Sequence, residues 1–151
     1  MMTPAAFIAS AGGAGYAPKA PGTFGSLAGL LIGALLLHLG HIPLFGAAVT
    51  ASVLGLWSVW AAGGQNDPGW IVIDEVAGQL ITMLALPRVT LPGLILAFAL
   101  FRLFYITKPG PIAAMDRRHD AFGVMADDWL AGLAAFLVLL ILIHIFPAIS
   151  R

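Results

Sequence analysis

The chain has 151 residues, 60% of them hydrophobic and only 9% Asp, Glu, Lys or Arg, with a formal net charge of zero. Soluble domains carry roughly 25% charged residues; that contrast and a mean hydropathy of +0.99 point to an all-α polytopic membrane protein, a single domain over residues 1–151. Neutral charge argues against nucleic-acid binding and a polybasic lipid-surface patch. The absence of cysteine removes disulfides, thiol catalysis and thiolate metal sites, leaving oxygen and imidazole as ligands.

In chain order, the Ala- and Gly-rich segment from Thr3 to Gly15 is expected to be a surface or re-entrant helix. Its Ala-Ser-Ala lacks a preceding Lys or Arg and is not read as a signal cleavage site. Next comes "GYAPKAPGTFGSLAGL", in which Lys19 lies between Pro18 and Pro21, and Gly22, Thr23, Gly25 and Ser26 lead into the first span. A helix entry rich in Gly, Thr and Ser beside a lysine suits an anion; taken alone an ordinary capped helix start explains it better, and the anion reading gains from the carboxylates on the same face. The spacing is not that of a Walker loop.

Apolar runs interrupted by turn residues predict five spans: Phe24 to Leu39, Leu44 to Ala62, Ile71 to Leu86, Leu91 to Phe104 and Trp129 to Phe146. Several fall short of the roughly 20 residues that cross a bilayer, so some must be short or buried beside partners. Pro43, Pro68, Pro87, Pro92, Pro109 and Pro147 punctuate them. With a cytoplasmic amino terminus, Lys19, Arg102, Lys108, Arg117 and Arg118 fall inside, as the positive-inside bias requires. All seven acids, Asp67, Asp74, Glu75, Asp116, Asp120, Asp127 and Asp128, fall on that same face.

Two acidic pairs are expected to open two parallel spans, Asp74-Glu75 before "VAGQLITMLAL" and Asp127-Asp128 before "WLAGLAAFLVLL". Gly78 and Gly132 follow four residues after Asp74 and Asp128, where small residues let helices approach. Capping explains a single acid at a helix start, but a cap needs only one. Two pairs at the edge of hydrocarbon, where ionised groups are costly, indicate a site. Clustered carboxylates repel unless a hard cation lies among them, and Mg²⁺ is the natural occupant. Between the two pairs, "FRLFYITKPGPIAAMDRRHDAFGVMADD" places Arg102 and Lys108 beside apolar sequence, where each needs a partner or an anionic ligand. Arg117 and Arg118 read as a solvated loop, and His119 is a candidate proton carrier. His38, His41 and His144 fall away from the acids, and the four tryptophans suit interface anchoring or packing.

The blocks "PKAPGTFGSLAGL", "DPGWIVIDEVAGQLIT", "FRLFYITKPGPI" and "DAFGVMADDWLAG" occur in an order that resembles the phosphatidylglycerophosphatase A family. That resemblance implies a Mg²⁺-dependent, multi-pass lipid phosphatase of the bacterial inner membrane. It would convert phosphatidylglycerophosphate in the bilayer to phosphatidylglycerol and inorganic phosphate on the cytoplasmic face. The matching polar positions are Lys19, Thr23, Ser26, Asp74, Glu75, Arg102, Lys108, Asp116, Asp127 and Asp128. Asp74, Glu75, Asp127 and Asp128 are then the expected metal ligands and catalytic carboxylates, with Asp116 a further catalytic candidate. Lys19, Thr23, Ser26, Arg102 and Lys108 are the expected phosphate-binding set. One departure stands out: where relatives commonly read Phe-Asp-Ile-x-Lys-Pro, this chain has Tyr105 in place of the acid, and Gly110 replaces a frequent tryptophan.

Attack by water and a covalent aspartyl-phosphate are both compatible with these residues. The rival classes are a divalent-cation transporter and a non-catalytic membrane protein. A conduction path needs polar steps across the whole membrane, and the acids occupy one face only. Neither the Asp-Gly-x2-Ala-Arg pattern of CDP-alcohol phosphotransferases nor the Pro-Ser-Gly-His block of histidine-dependent lipid phosphatases occurs. A homo-oligomer is compatible with the sequence; a nucleic-acid partner is not expected.

Overall fold

Several of the chain's prolines lie in the first turn of a helix in the computed structural model, which describes residues 1–151. The helices are α1 (Pro4–Ala9), α2 (Pro21–Leu39), α3 (His41–Ala61), α4 (Ile73–Met83), α5 (Leu91–Thr107), α6 (Pro111–Asp116) and α7 (Ala121–Ile145), and there are no strands. Pro4, Pro21 and Pro111 are the first residues of their helices, Pro92 the second of α5 and Pro43 the third of α3. A proline there loses no helical hydrogen bond, because the first amides of a helix have no intrahelical acceptor.

Three helices, α2, α3 and α7, are long and apolar enough to cross a bilayer. The 17-residue α5 is a shorter apolar helix, and α4 has only 11 residues. Ten of the eleven α4 residues are buried, Ile81 being the partly exposed one. This helix is the axis of the bundle: α2, α3, α5 and α7 all pack on it. The surrounding helices present Leu31, Leu35, Val53, Ile95, Leu137 and Ile141 outward, as a lipid-facing surface requires. The polar residues of α4, Asp74, Glu75, Gln79 and Thr82, are tolerated because no lipid touches them.

Small residues make this enclosure tight. Gly25, Gly29 and Gly33 of α2 lie against Val72, Val76 with Gln79, and Met83. The closest approach joins α4 to α7. A Cβ on Gly78 would fall 2.6 Å from the Asp128 carbonyl oxygen, and one on Gly132 would fall 3.0 Å from the Gly78 carbonyl carbon. No side chain fits there, so both positions require glycine. The Thr82 hydroxyl lies between the Gly78 and Gly132 carbonyl oxygens, at 3.0 and 3.2 Å, and ties the two backbones together.

The amino-terminal segment is a short surface helix, as expected. It packs on α3, and the Val72 N–H donates to the Ala9 carbonyl at 2.9 Å, while Tyr16 stacks on Trp70 with ring centroids 5.8 Å apart. At the opposite end of the bundle, His41 Nε2 lies 2.9 Å from the Leu86 carbonyl, and Arg88 and Thr90 donate to the carbonyls of Ser150 and Ile149. That end carries no carboxylate side chain.

The sequence pattern misplaces one boundary. The last span begins at Ala121 rather than Trp129, with Asp120 as its cap: the Asp120 carboxylate accepts the Gly123 N–H at 2.7 Å. Asp127 and Asp128 therefore lie two turns inside α7, whereas Asp74 and Glu75 are in the first turn of α4. The two pairs do not open their helices in the same way, because the polar pair interrupts the apolar run without interrupting the helix.

Replacing Gly132 by Ala is expected to lower stability by about 1–3 kcal/mol through overpacking against Gly78, read as a lower midpoint of unfolding in detergent. An unchanged midpoint would show that the α4–α7 contact is looser than described.

Candidate functional site

Val72, which precedes α4, makes no capping bond with its side chain, and Asp74 Oδ1 and Glu75 Oε2 accept no hydrogen bond from the helix end. They meet Asp128, delivered by α7 across the Gly78–Gly132 contact. One ligand oxygen from each of Asp74, Glu75 and Asp128 lies within 4.8 Å of the others, and all three side chains are buried. Asp74 Oδ1, Glu75 Oε2 and Asp128 Oδ2 have no hydrogen-bond partner. Two ionised carboxylates at such a separation repel by about 3 kcal/mol at an effective dielectric of ~20, before desolvation is counted. A divalent cation relieves both costs, so this donor set fits a hard, oxygen-liking ion such as Mg²⁺.

One cationic side chain, Arg102, stands beside the triad. The first turn of α2 brings Gly22 against Glu75: a Cβ on Gly22 would be 2.5 Å from Glu75 Oε1, 3.1 Å from the Tyr105 hydroxyl and 3.4 Å from Arg102 Nη1. The Arg102 guanidinium lies 4.3 Å from the centre of the Tyr105 ring and donates to Ser26 Oγ at 3.4 Å. Ser26 in turn donates to the Gly22 carbonyl at 2.9 Å. Thr23 lies partly buried on the same turn of α2, and Lys19 is exposed two residues before that helix. Tyr105 thus turns its phenol toward Glu75 and its ring toward Arg102.

Lys108, expected in the phosphate-binding set, is already paired with carboxylates of the chain. Its ammonium pairs with Asp116 and, at 2.9 Å, with Asp127. Burial works against its charge, but these two carboxylates raise it above the ordinary lysine value, so it is a cation at physiological pH. The other oxygen of Asp127 accepts the Asp128 N–H at 3.0 Å. The structure therefore groups Asp127 and Asp116 around Lys108 and leaves Asp74, Glu75 and Asp128 as the set that converges with no cation paired to it.

Beside Lys108 a polar pocket of about 180 Å³ opens between the α3–α4 loop and the start of α7, with Asp67, Asp116, His119 and Asp127 in its wall. Asp67 is raised above the ordinary aspartate value, first by its enclosing wall and then by the charge of Glu75, against the pull of Lys108. Arg118 forms an exposed pair with Asp120 at 2.6 Å, and Arg117 is exposed. His38, His41 and His144 lie at the other end of the bundle.

Sequence reasoning missed Gln79. It is fully buried, and neither amide atom has a partner. Its position four residues after Glu75 on one helix is a signal that helical spacing could have supplied.

The sequence profile of the family described as phosphatidylglycerophosphatase A matches residues 7–143. The chain is 39% identical over 144 residues to a phosphatidylglycerophosphatase A of Haemophilus influenzae, covering 91% of this chain and 88% of that protein. It is 37% identical over 136 residues to a Bacteroides thetaiotaomicron protein named "Putative phosphatidylinositol-3-phosphatase", covering 84% and 86%. Identity to a phosphatidylglycerophosphatase A of Escherichia coli is 33% over 152 residues, covering 97% and 88%. No solved structure matches the chain.

Replacing Lys108 by Met leaves Asp127, nine-tenths buried, without its counter-charge. A fully buried pair would lose more, but this lysine is a quarter exposed, and the expected loss is about 1–3 kcal/mol. Adding Asp127→Asn should restore part of it in a double-mutant cycle of unfolding midpoints; strictly additive losses would show that the two groups do not interact.

Proposed function

The chain belongs to the phosphatidylglycerophosphatase A family, and from that premise we propose that its buried carboxylates hydrolyse phosphatidylglycerophosphate to phosphatidylglycerol and inorganic phosphate, with Mg²⁺ held by Asp74, Glu75 and Asp128. The enzyme is a phosphoric monoester hydrolase, and its helices make it a membrane protein. The observation that carries the finer reading is the convergence of three buried carboxylates, each with one oxygen that has no hydrogen-bond partner.

When bound, Mg²⁺ supplies Lewis acidity toward the phosphoryl oxygens and neutralises their charge. The residues of the chain do the rest. Arg102, braced on Tyr105 and Ser26, stands beside Glu75 where a nonbridging phosphoryl oxygen would carry negative charge. Thr23 and Lys19, at the entry to α2, extend this cationic side toward solvent. Asp127 and Asp116 hold Lys108 in position, so its ammonium faces the substrate from a fixed place rather than from a free chain. A carboxylate of the cluster accepts a proton from the attacking water as the water oxygen bonds to phosphorus. The bond from phosphorus to the lipid oxygen breaks, and the departing oxygen takes the proton that the carboxylate received and leaves as the alcohol.

The placement of the site suits a lipid headgroup. From Gly22, beside Glu75, to the end of α2 at Leu39 is about 26 Å of helix, against a hydrocarbon core of ~30 Å. The triad thus lies near one membrane surface, where a headgroup can reach it while the acyl chains stay in the bilayer. Lys19, Arg102, Lys108, Arg117 and Arg118 share that end, which supports a cytoplasmic-facing site in a bacterial inner membrane.

The resemblance to the Bacteroides protein favours a second reading, in which the phosphomonoester is carried on an inositol headgroup. Phosphate release from both lipids, measured with Mg²⁺ and after chelation, separates the two. Activity confined to phosphatidylglycerophosphate and lost on chelation is the expected result; chelator-resistant turnover would remove the metal. Asp74→Asn and Asp128→Asn should each lower kcat at least about a hundredfold while the unfolding midpoint is kept or raised, because each removes a repelling charge. Turnover near that of the native chain would take those carboxylates out of the mechanism.

A further inference from the structure

Three apolar grooves run along the outside of the bundle. One of about 330 Å³ lies between the first half of α3, Phe45 to Val53, and the end of α4 at Ile81 and Leu84. A second of about 360 Å³ lies along the first half of α5, Leu91 to Ala99, beside Leu27 and Leu30 of α2. Since α3 and α5 begin at the acid-free end of the bundle, the first groove belongs to that half of the membrane and the second runs from that end to its middle. The third, of about 390 Å³, is bounded by Pro109, Gly110, Pro111 and Ile112 and by Leu130, Leu133, Ala134 and Leu137 of α7. It alone begins at the level of the carboxylates: Leu130 follows Asp128 by two residues, and Leu137 lies about 14 Å beyond Asp128 along α7.

We propose that this third groove seats an acyl chain of the substrate lipid and so aligns the headgroup with the buried triad. The proposal rests on the lipid phosphatase reading above and adds where the hydrocarbon goes. A lipid whose headgroup reaches Asp74, Glu75 and Asp128 has its chains in the same leaflet, and the other two grooves are on the wrong side of the bilayer midplane or cross it. The third groove is also continuous with the site along the chain. Its top wall, Pro109, follows Lys108 directly, and Leu130 comes two residues after Asp128. Lys108, next to Pro109 in the chain, pairs with Asp127 three residues before Leu130, and so brings a cation near the end of the groove from which the anionic headgroup would enter.

Its shape suits one chain. Leu130, Leu133, Ala134 and Leu137 form a single stripe on α7 about 10 Å long, most of the ~15 Å depth of one leaflet's hydrocarbon. Ala134 is the smallest of the four, and its short side chain leaves the depression between the leucines. The opposite wall is stiff, since Pro109 and Pro111 fix their backbone angles. A helix of a second protein, 10–12 Å across, would have to seat over this proline wall, whereas a single hydrocarbon chain lies along the stripe.

The test fills the groove. In detergent micelles of fixed composition, phosphate release is measured from dioleoyl and from dibutanoyl phosphatidylglycerophosphate. Ala134→Phe should lower the dioleoyl-to-dibutanoyl ratio of kcat/KM about tenfold, the loss of roughly two buried methylene groups, chiefly through the KM of the long-chain lipid. Val49→Phe, which fills the α3–α4 groove in the other leaflet, should leave the ratio unchanged. In parallel, a dioleoyl analogue with a photoreactive acyl chain should label Ile112, Leu133 or Leu137 rather than Phe45 or Val53. An unchanged ratio in Ala134→Phe, an equal fall with both lipids, or labelling spread over all three grooves would overturn the proposal. A change of oligomeric state in Ala134→Phe that accompanies an equal fall would assign the groove to a second copy instead. Native protein that releases phosphate from neither lipid would defeat the phosphatase reading itself.

Discussion

Three carboxylates with no cation of the chain paired to them, enclosed in an apolar bundle, are the constraint around which this molecule is built. Their mutual repulsion and their desolvation both oppose folding. Such a cluster persists only where the surrounding packing over-determines it, as strained functional sites generally require. Here the packing is a short central helix, α4, walled by four longer ones. Because α4 meets no lipid, it can carry Asp74, Glu75, Gln79 and Thr82 through the bundle interior. The outer helices take over the apolar contact with the membrane.

Close helix approach converts that packing into a site. Hydrophobic attraction between helices is weak in lipid, where the tails are as apolar as the side chains, so contact depends on van der Waals fit and small residues. Gly78 and Gly132 let the backbones of α4 and α7 touch, and Thr82 bridges their carbonyls. That contact sets the distance from Asp128 to Asp74 and Glu75. Gly22 does the same for α2, admitting Glu75, Tyr105 and Arg102 to one point. Glycines distant in sequence thus control the geometry of the charged groups.

The charged residues divide into two neighbouring groups with different physics. Around Lys108, Asp116 and Asp127 are compensated by a cation supplied by the protein. In the triad no such cation is supplied. The sequence treats Asp127 and Asp128 as equivalent neighbours, but consecutive residues on a helix are turned about 100° apart. One faces α4 and the other faces the α5–α6 turn. Tyr105 shows the same dependence on context. In the sequence it marks the loss of an acid; in the structure its ring braces Arg102 and its hydroxyl faces Glu75.

The amino-acid sequence by itself determined the membrane class, the approximate helices, the gathering of every acid at one end and the small residues at the α4–α7 crossing, because hydropathy, proline position and helical spacing are local properties. It misjudged the start of α7, since a polar pair inside an apolar run reads as a boundary when its buried surroundings are unseen. Only the tertiary structure decided that α4 is the shielded axis, that Asp128 rather than Asp127 joins Asp74 and Glu75, and that Lys108 is already paired. Those outcomes depend on which face of each helix meets which neighbour, and that is fixed by contacts between residues as far apart as Gly78 and Gly132.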